Sequence, residues 1–433
     1  MLRASLAKAS PPVLRRCMTS LASAKKEGDI SDAFTSLSGA QREPLPDRYR
    51  QLKLALLQGR EDKIVQSWKK LLSELKRENE IVAQKGPGVI PQIEFKDLER
   101  SSDALREEVK KRGVVVVRGV VPEGEARAYK AEVEEYVARN PSTRAFPPHD
   151  PQVYELYWSP PQLKARSHPN FLSVQQNLMS LWHTTSQTAI SISQPFSYAD
   201  RLRIRQPGDA SFALGPHIDG GSVERWEPEG YGAGHVYDAI LQGNWEAYDP
   251  WNASGRVDAV NNRPFFKARS ERVGEGYLEE GNWELMGDVD SELQGATPGT
   301  GQELTGELHP HLELERTMVH VPEIRPGDFV AWHCDTIHSV DKVHAGKADS
   351  SVLYIPICPI TAQNAEYMVR QREAFLRGTP GPDFPGGAGE AGHVGRGTEE
   401  MLDGAARRAM GLSALMTEGE EDVVREANRI LGF

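Results

Sequence analysis

The sequence predicts an α+β protein in which a core of short β-strands is flanked by helices at both ends and interrupted by one long insertion. Apolar residues recur at helical spacing in 47–85 and again in 362–376. Between them, runs such as 113–121 and 351–357 are short, β-branched and bounded by Gly or Pro, as strands are. Residues 222–316 are rich in Gly, Asn, Trp and acidic residues without a clear period, which indicates an insertion with functional loops.

The composition favours a globular protein that acts on a small molecule. The 433 residues are 39% hydrophobic, enough for a substantial core, and no apolar run approaches the roughly 20 residues of a membrane-spanning helix. A net charge of −11 argues against nucleic acid or an anionic membrane as a partner. The cysteines Cys17, Cys334 and Cys358 are too few for a disulfide framework, so we expect a reducing compartment.

The chain divides into four segments by composition. Residues 1–26 are rich in Arg, Lys and Ser, and the first acid is Glu27, which is typical of a mitochondrial transit segment. A disordered basic tail on a cytoplasmic protein is the alternative. We predict a helical extension over 27–100, a β-rich domain over 101–375, and a Gly- and Pro-rich loop followed by short helices over 376–433.

The β-rich domain begins with helix, buried strand and helix, predicted over 104–111, 113–121 and 124–139. After the insertion, strands are predicted over 317–321, 329–332 and 351–357, and a helix over 362–376.

A strand near residue 200 carries three arginines on one face. Arg201, Arg203 and Arg205 alternate with Leu202 and Ile204, so their guanidinium groups point the same way. This face fits a pocket that binds carboxylates, because an Arg guanidinium can bind a carboxylate through two hydrogen bonds. An exposed basic edge strand is the alternative interpretation.

Two His-x-Asp patterns can provide metal ligands. His217 and Asp219 are two residues apart after a predicted strand, so both side chains can reach one ion. A distant histidine would complete a set of two imidazoles and one carboxylate, which suits non-haem Fe(II) because open positions remain. His338 is the preferred third ligand. His333, in the second pattern with Asp335, is the alternative.

Several longer runs around these residues resemble the phytanoyl-CoA-hydroxylase-like branch of the Fe(II)/2-oxoglutarate oxygenases, and a fungal and bacterial family grouped with them. They are the turn Pro326-Gly327-Asp328 before a strand and His338, and the runs 214–226, 242–246 and 332–340. The resemblance extends over roughly residues 45–430.

The resemblance implies a double-stranded β-helix, a jelly-roll or cupin-like core, with His217, Asp219 and His338 holding Fe(II). It implies that 2-oxoglutarate chelates the iron and that O2 is consumed with release of succinate and CO2 while a substrate C–H bond is hydroxylated. The substrate is expected to be a small, perhaps acidic, metabolite.

The sequence departs from the family at the cation that meets the far carboxylate of the cosubstrate. In the family an Arg or Lys follows the distal histidine by about ten residues, whereas here that window contains Lys342, His344 and Lys347 but no Arg. Lys347 is the expected counter-ion, with Ser350 or Ser351 as a hydroxyl donor. Arg203 and Arg205 are the alternative cations.

Two other functions are compatible with these residues. One is a degenerate β-helix protein that binds a metal or carboxylate without turnover, favoured by the missing arginine. The other is a cupin-type isomerase or hydrolase using zinc or manganese, in which more histidines are typical.

The insertion contains further candidates of lower specificity. Arg225 and Trp226, together with Trp245 and Trp251, can line a pocket mouth, but loop aromatics more often anchor an insertion to the body. His309 and His311 alternate across Pro310, and we interpret them as part of a surface ribbon rather than a second metal site.

Overall fold

A computed structural model shows a mixed α+β protein with several small sheets. It describes residues 30–38, 44–187, 189–219, 221–228, 234–256, 266–268, 278–285, 289–384, 386–417 and 422–433. The predicted transit segment, 1–26, lies outside the described residues. Within them, no helix has both the length and the apolar character needed to cross a bilayer.

Helices form most of the described N-terminal extension, and short helices follow the loop of the C-terminal region. Helix α4 shows how a boundary is set: the Ser102 side chain accepts a hydrogen bond from Leu105 N at its start, and Gly113 (φ +66°) ends it. The α-helices of the described residues are α1 (Thr35–Ser38), α2 (Arg48–Leu57), α3 (Glu61–Lys85), α4 (Asp103–Arg112), α5 (Glu123–Arg139), α6 (Pro160–Ser167), α7 (Pro169–Met179), α8 (Asp238–Leu241), α9 (Leu314–Thr317), α10 (Ala362–Arg377), α11 (Gly404–Ala409) and α12 (Asp422–Leu431).

The strands are short and lie mostly between α4 and α10. They are β1 (Gln92–Glu94), β2 (Val114–Arg118), β3 (Ala145–Phe146), β4 (Val153–Tyr154), β5 (Ser191–Ser197), β6 (Leu202–Arg205), β7 (Leu214–Ile218), β8 (Phe266–Ala268), β9 (Trp283–Leu285), β10 (Gln302–Glu303), β11 (Phe329–Trp332), β12 (His338–Val340), β13 (Ser350–Leu353) and β14 (Ile357–Ile360).

Strands that precede the insertion pair with strands that follow it. In the part of the chain that the structure describes, the sheet orders are β1-β2-β11, β10-β7-β12, β13-β6-β4-β3, β14-β5 and β8-β9. β2, β5, β6 and β7 pair antiparallel with β11, β14, β13 and β12 respectively. Each pairing joins residues that are far apart in sequence, and the β7–β12 pairing brings together the two histidines of the predicted metal site.

Helix α3 packs extensively on the insertion. Ile64 and Leu72 of α3 share a buried cluster with Trp226, Leu241 and Trp283 of the insertion. The apolar stripe of α3 therefore has a definite partner, as the helical periodicity of this segment requires.

At the other end of the chain, α12 packs against α10 through a cluster that includes Met368, Val424 and Leu431. After α10, the described part of residues 378–397 has neither helix nor strand. It is tied to the body by the buried Glu390 carboxylate, which accepts hydrogen bonds from Tyr157 N and Trp158 N at 2.7 and 2.8 Å.

Two of the predicted strands differ from the structure. Residues 317–321 are not a strand, because Thr317 ends α9, where its N–H and hydroxyl are bonded to the preceding turn, and the chain is irregular up to β11. The predicted strand 351–357 is two strands, β13 and β14, separated at Pro356, which cannot donate to a ladder.

Candidate metal centre

His217 and His338 face each other across two antiparallel strands. They are direct Cα partners in the β7–β12 ladder. Opposed residues in such a ladder have Cβ atoms about 5 Å apart. Their imidazole centroids are accordingly 4.2 Å apart, although the residues are distant in sequence.

Asp219 lies one residue beyond the end of β7, on the same side as His217. Its Oδ1 is 3.8 Å from His217 Nε2, and its Oδ2 is 3.3 Å from His338 Nε2. One ligand atom from each of the three residues lies within 4.8 Å of the others. Metal–ligand bonds of about 2 Å place ligand atoms about 3–4 Å apart, so these three donors fit a single cation.

Both imidazoles are oriented by the backbone. His217 Nδ1 donates to Gly215 O at 2.7 Å, and His338 Nδ1 donates to Thr336 O at 3.0 Å. A carbonyl oxygen can only accept, so each Nδ1 carries the proton and each Nε2 presents a lone pair toward Asp219. Histidines that bind metals commonly have this arrangement.

The surroundings of His217 favour the neutral imidazole that a metal requires. Burial lowers the pKa of His217, and the adjacent His338 lowers this pKa further. Phe34 packs edge-on against the His217 ring, with centroids 4.9 Å apart. Trp332 Nε1 lies 3.4 Å from Asp219 Oδ2, and its ring centroid is 5.1 Å from that of His338.

The second cluster, His333, Cys334 and Asp335, is already used by protein contacts. His333 Nε2 bonds to Pro250 O at 3.1 Å, and its Nδ1 accepts from Asp335 N at 3.1 Å. Its ring stacks on Trp182 with centroids 4.8 Å apart. With both ring nitrogens occupied, His333 does not offer a lone pair to the cation site beside His338.

Asp335 is instead held by two arginines. Arg225 Nη1 donates to Asp335 Oδ1 and Arg256 Nη2 donates to Asp335 Oδ2, both at 2.8 Å. Burial would raise the pKa of Asp335, but Arg256 and Arg225 outweigh burial and lower this pKa to about 2. Arg225 Nη2 also donates to Asp219 O at 2.9 Å, so this network reaches the metal centre.

Of the groups predicted to bind the cosubstrate carboxylate, Arg205 and Ser351 are engaged elsewhere. Arg205 Nε pairs with Asp209 Oδ2 at 2.8 Å, and its Nη1 and Nη2 donate to the backbone oxygens of Asp341 and Asp209. The Ser351 hydroxyl donates to Asp349 at 2.7 Å. Lys347 is exposed in the loop between β12 and β13.

Arg203 is the remaining predicted cation that lines the cavity beside the three metal-ligand candidates. Its Nη2 donates to Gln152 Oε1 and Phe212 O, whereas its buried Nε has no hydrogen-bond partner. The exposed-edge interpretation of these arginines is wrong, because β6 lies between β13 and β4 and its residues are buried.

The cavity at the metal centre has a volume of about 2900 Å³ and is lined by His217, Asp219, His338, Trp332 and Arg203, among others. The lining also reaches Glu123 and Tyr367, and the volume exceeds the roughly 300–1,000 Å³ that is common for a single ligand pocket.

The insertion aromatics mostly act as anchors. Trp226 and Trp251 are buried, Trp251 Nε1 donates to Lys110 O, and Trp245 is half-buried. The surface-ribbon interpretation of His309 and His311 is wrong. His309 is buried, and His311 packs against Trp68 and Trp283 with centroid distances of 5.2 and 5.5 Å.

Sequence reasoning did not identify Phe34 or Trp332, and it interpreted Arg225 and Asp335 differently. Asp335 carried a signal, since it stands in the second His-x-Asp pattern, but only the fold shows that arginines occupy its carboxylate. Phe34 carried no local signal, and Trp332 was marked only by its place in the run 332–340, because the contacts of both residues depend on tertiary packing.

Comparison with known proteins identifies the family to which the chain belongs. A structure of GlcNAc Inducible Gene 2, GIG2 (DUF1479), from Candida albicans aligns with a TM-score of 0.78 over 91% of this chain and 96% of that one, and at 24% identity this likeness concerns the fold. A "Putative Oxidoreductase" from Salmonella typhimurium LT2 aligns with a TM-score of 0.71 at 28% identity over 86% of this chain and 99% of that one. YbiU of Escherichia coli K12 is 30% identical over 374 residues, covering 77% of this chain and 88% of YbiU. The Gig2-like family model matches residues 43–263 and 260–412, so the chain belongs to the Gig2-like family.

Proposed function

We propose that this protein is an Fe(II)- and 2-oxoglutarate-dependent dioxygenase that hydroxylates a small, acidic metabolite. The observation that carries the proposal is the pair of imidazoles whose Nδ1 atoms are bonded to carbonyls and whose Nε2 atoms face one carboxylate. Two imidazoles and a single carboxylate are the donor set that suits non-haem Fe(II) with open coordination positions.

Two coarser observations, the strand pairing and the name of one structural neighbour, accord with this proposal. Antiparallel pairing between strands from the two sides of the insertion is what a double-stranded β-helix requires, and we propose that fold for the core. One structural neighbour carries the name "Putative Oxidoreductase", and the proposed reaction belongs to that broad class.

Fe(II) held by these residues would supply O2 activation, coupled to decarboxylation of the bound 2-oxo acid. The role of the chain is to hold the metal and to orient its ligands and the cosubstrate. The backbone carbonyls of Gly215 and Thr336 fix the tautomers of His217 and His338. Arg203, which lines the cavity, is the proposed partner of the far carboxylate of the cosubstrate.

A second candidate is a protein that binds a metal or carboxylate without turnover. The observation that favours it is the engagement of Arg205 with Asp209 and of Ser351 with Asp349, which leaves fewer groups for the cosubstrate than the sequence predicts. Turnover therefore has to be measured separately from metal binding.

The decisive experiment measures O2 uptake and succinate release by iron-loaded protein over a range of 2-oxoglutarate concentrations. We expect succinate from the wild type and none above background from Asp219→Ala. The matched control is Asp238→Ala, because Asp238 also contacts an imidazole, His235, at 3.1 Å, but lies in the insertion away from the triad. If the wild type binds iron but releases no more succinate than Asp219→Ala, the result would favour the second candidate over the dioxygenase.

A further inference from the structure

A buried arginine connects the two segments that carry the proposed metal ligands. Arg225 follows β7 in a short 3-10 turn and is 1% exposed. Its guanidinium donates to Asp219 O at 2.9 Å through Nη2 and to Asp335 Oδ1 at 2.8 Å through Nη1. One side chain therefore contacts both the residue that bears the carboxylate ligand and the loop that leads to His338.

Asp335 is fixed in turn by the insertion. It lies three residues before His338, and its Oδ2 accepts from Arg256 Nη2 at 2.8 Å. Arg256 Nη2 also donates to the Tyr248 hydroxyl at 2.7 Å. The loop between β11 and β12 is thus held from the insertion side by charge-assisted hydrogen bonds, which are shorter and stronger than neutral ones.

The metal centre needs such a contact at one particular place. The β7–β12 ladder fixes the distance between His217 and His338, but Asp219 lies beyond Ile218, the last residue of β7. The Asp219 side chain is 53% exposed, so packing does not hold it. The bond from Arg225 Nη2 to Asp219 O restrains the backbone there.

We propose that Arg225 and Asp335 are positioning residues for the metal centre, and that their ion pair sets the place of Asp219 relative to His217 and His338. This inference rests on the proposed metal site. Residues that orient metal ligands without touching the ion commonly change metal affinity by about 10- to 100-fold when they are altered.

The test uses Co(II) binding to the full-length apoprotein, measured by titration and by the visible absorption of the bound ion, which reports ligand geometry independently of turnover. Arg225→Lys keeps the charge but replaces the two separate donor atoms, Nη1 and Nη2, with one ammonium nitrogen, and Asp335→Asn keeps the shape but removes the charge. We expect each variant to bind Co(II) about 10- to 100-fold more weakly with an altered spectrum. The double variant should lose no more Co(II) affinity than the single variant that binds Co(II) more weakly, because the two residues act as one unit.

The matched control is the ion pair of Arg118 with Asp328, which is similarly buried but lies in the β2–β11 region. Arg118→Lys and Asp328→Asn should lower thermal stability yet leave Co(II) affinity and spectrum at wild-type values. Circular dichroism identifies the variants that are folded. A folded Arg225→Lys or Asp335→Asn protein with wild-type Co(II) affinity and spectrum would overturn this inference but not the proposed metal site. Wild-type protein that binds no Co(II), or binds it equally well after His217→Ala, would overturn the metal site itself.

Discussion

The carboxylate of Asp219 is the most exposed of the three proposed ligands, and its orientation depends on single contacts. The indole N–H of Trp332 lies 3.4 Å from Asp219 Oδ2. An oxygen that accepts this hydrogen bond is less available to the cation, which favours binding through the other oxygen. Trp332 also packs near the His338 ring.

We expect Trp332→Phe to weaken Co(II) binding by a few-fold, because Phe keeps a ring beside His338 but has no donor for Asp219. Titration monitored by absorption measures this change. The control is Trp158→Phe, which removes an indole donor that bonds to Thr379 O in a buried cluster that contains none of the proposed ligands. An equal loss of affinity in both variants would contradict a specific role for the Trp332 donor.

At the level of residues, the sequence identified three candidate ligands, which the structure brings together, but it did not identify the contacts that support them. His217 and Asp219 stand out because a two-residue spacing in an extended chain gives a shared face, and His338 because of its place after a turn and a strand. The carbonyls that orient the imidazoles, and the arginines around Asp335, have no local sequence signature. Each of these carbonyls lies only two residues before its histidine, at Gly215 and Thr336, and any residue type would provide it. Arg225 and Arg256 come from a segment that is distant from Asp335 in the chain.

Among the elements, the helices of the β-rich domain were predicted most closely. The predicted segments 104–111, 124–139 and 362–376 correspond to α4, α5 and α10, because their periodicity and boundary residues are local properties. The strands were harder to predict from the sequence. Residues 317–321 have strand-like composition, but the turn that ends α9 binds Thr317 first. The predicted helical extension and insertion were recognised separately, whereas their mutual packing was not.

The 3-10 turn Pro310–Leu312 places His311 between two tryptophans, and this position gives a pH dependence. Burial lowers the pKa of His311, with a further contribution from His309, from 6.5 to about 3. As pH falls below 6.5, the unfolded chain binds this proton before the folded chain does. The stability contributed by the neutral imidazole is therefore complete above pH 6.5 and is lost progressively down to pH 3.

We expect His311→Phe to reduce the loss of stability between pH 6.5 and pH 4, since Phe fills the same aromatic site without titrating. For one group the slope is at most about 1.4 kcal/mol per pH unit. Urea denaturation at a series of pH values measures the slope. Parallel curves for the two proteins would show that His311 is not the responsible group.

At the scale of the whole molecule, helix α3 of the extension and the insertion share one buried cluster. Leu72 is 1% exposed within their shared cluster, whereas Leu54 on the neighbouring helix α2 is 39% exposed. We expect Leu72→Ala to lower the free energy of unfolding by about 2–5 kcal/mol, because it leaves a cavity between α3 and the insertion. Leu54→Ala, the matched control, should change stability by less than about 0.5 kcal/mol. Urea denaturation followed by tryptophan fluorescence tests both, and equal effects would contradict the shared cluster.

The pairing of early with late strands also governs how the protein is made. β6 and its partner β13 are separated by more than half of the β-rich domain, and the same holds for β2 and β11. At ordinary translation rates, β6 leaves the ribosome on the order of ten seconds before β13 exists. During that interval the nascent chain exposes unpaired strand edges, which are templates for aggregation. Efficient production in cells should therefore depend on chaperones that shield the first half of the chain until the second half has been synthesised.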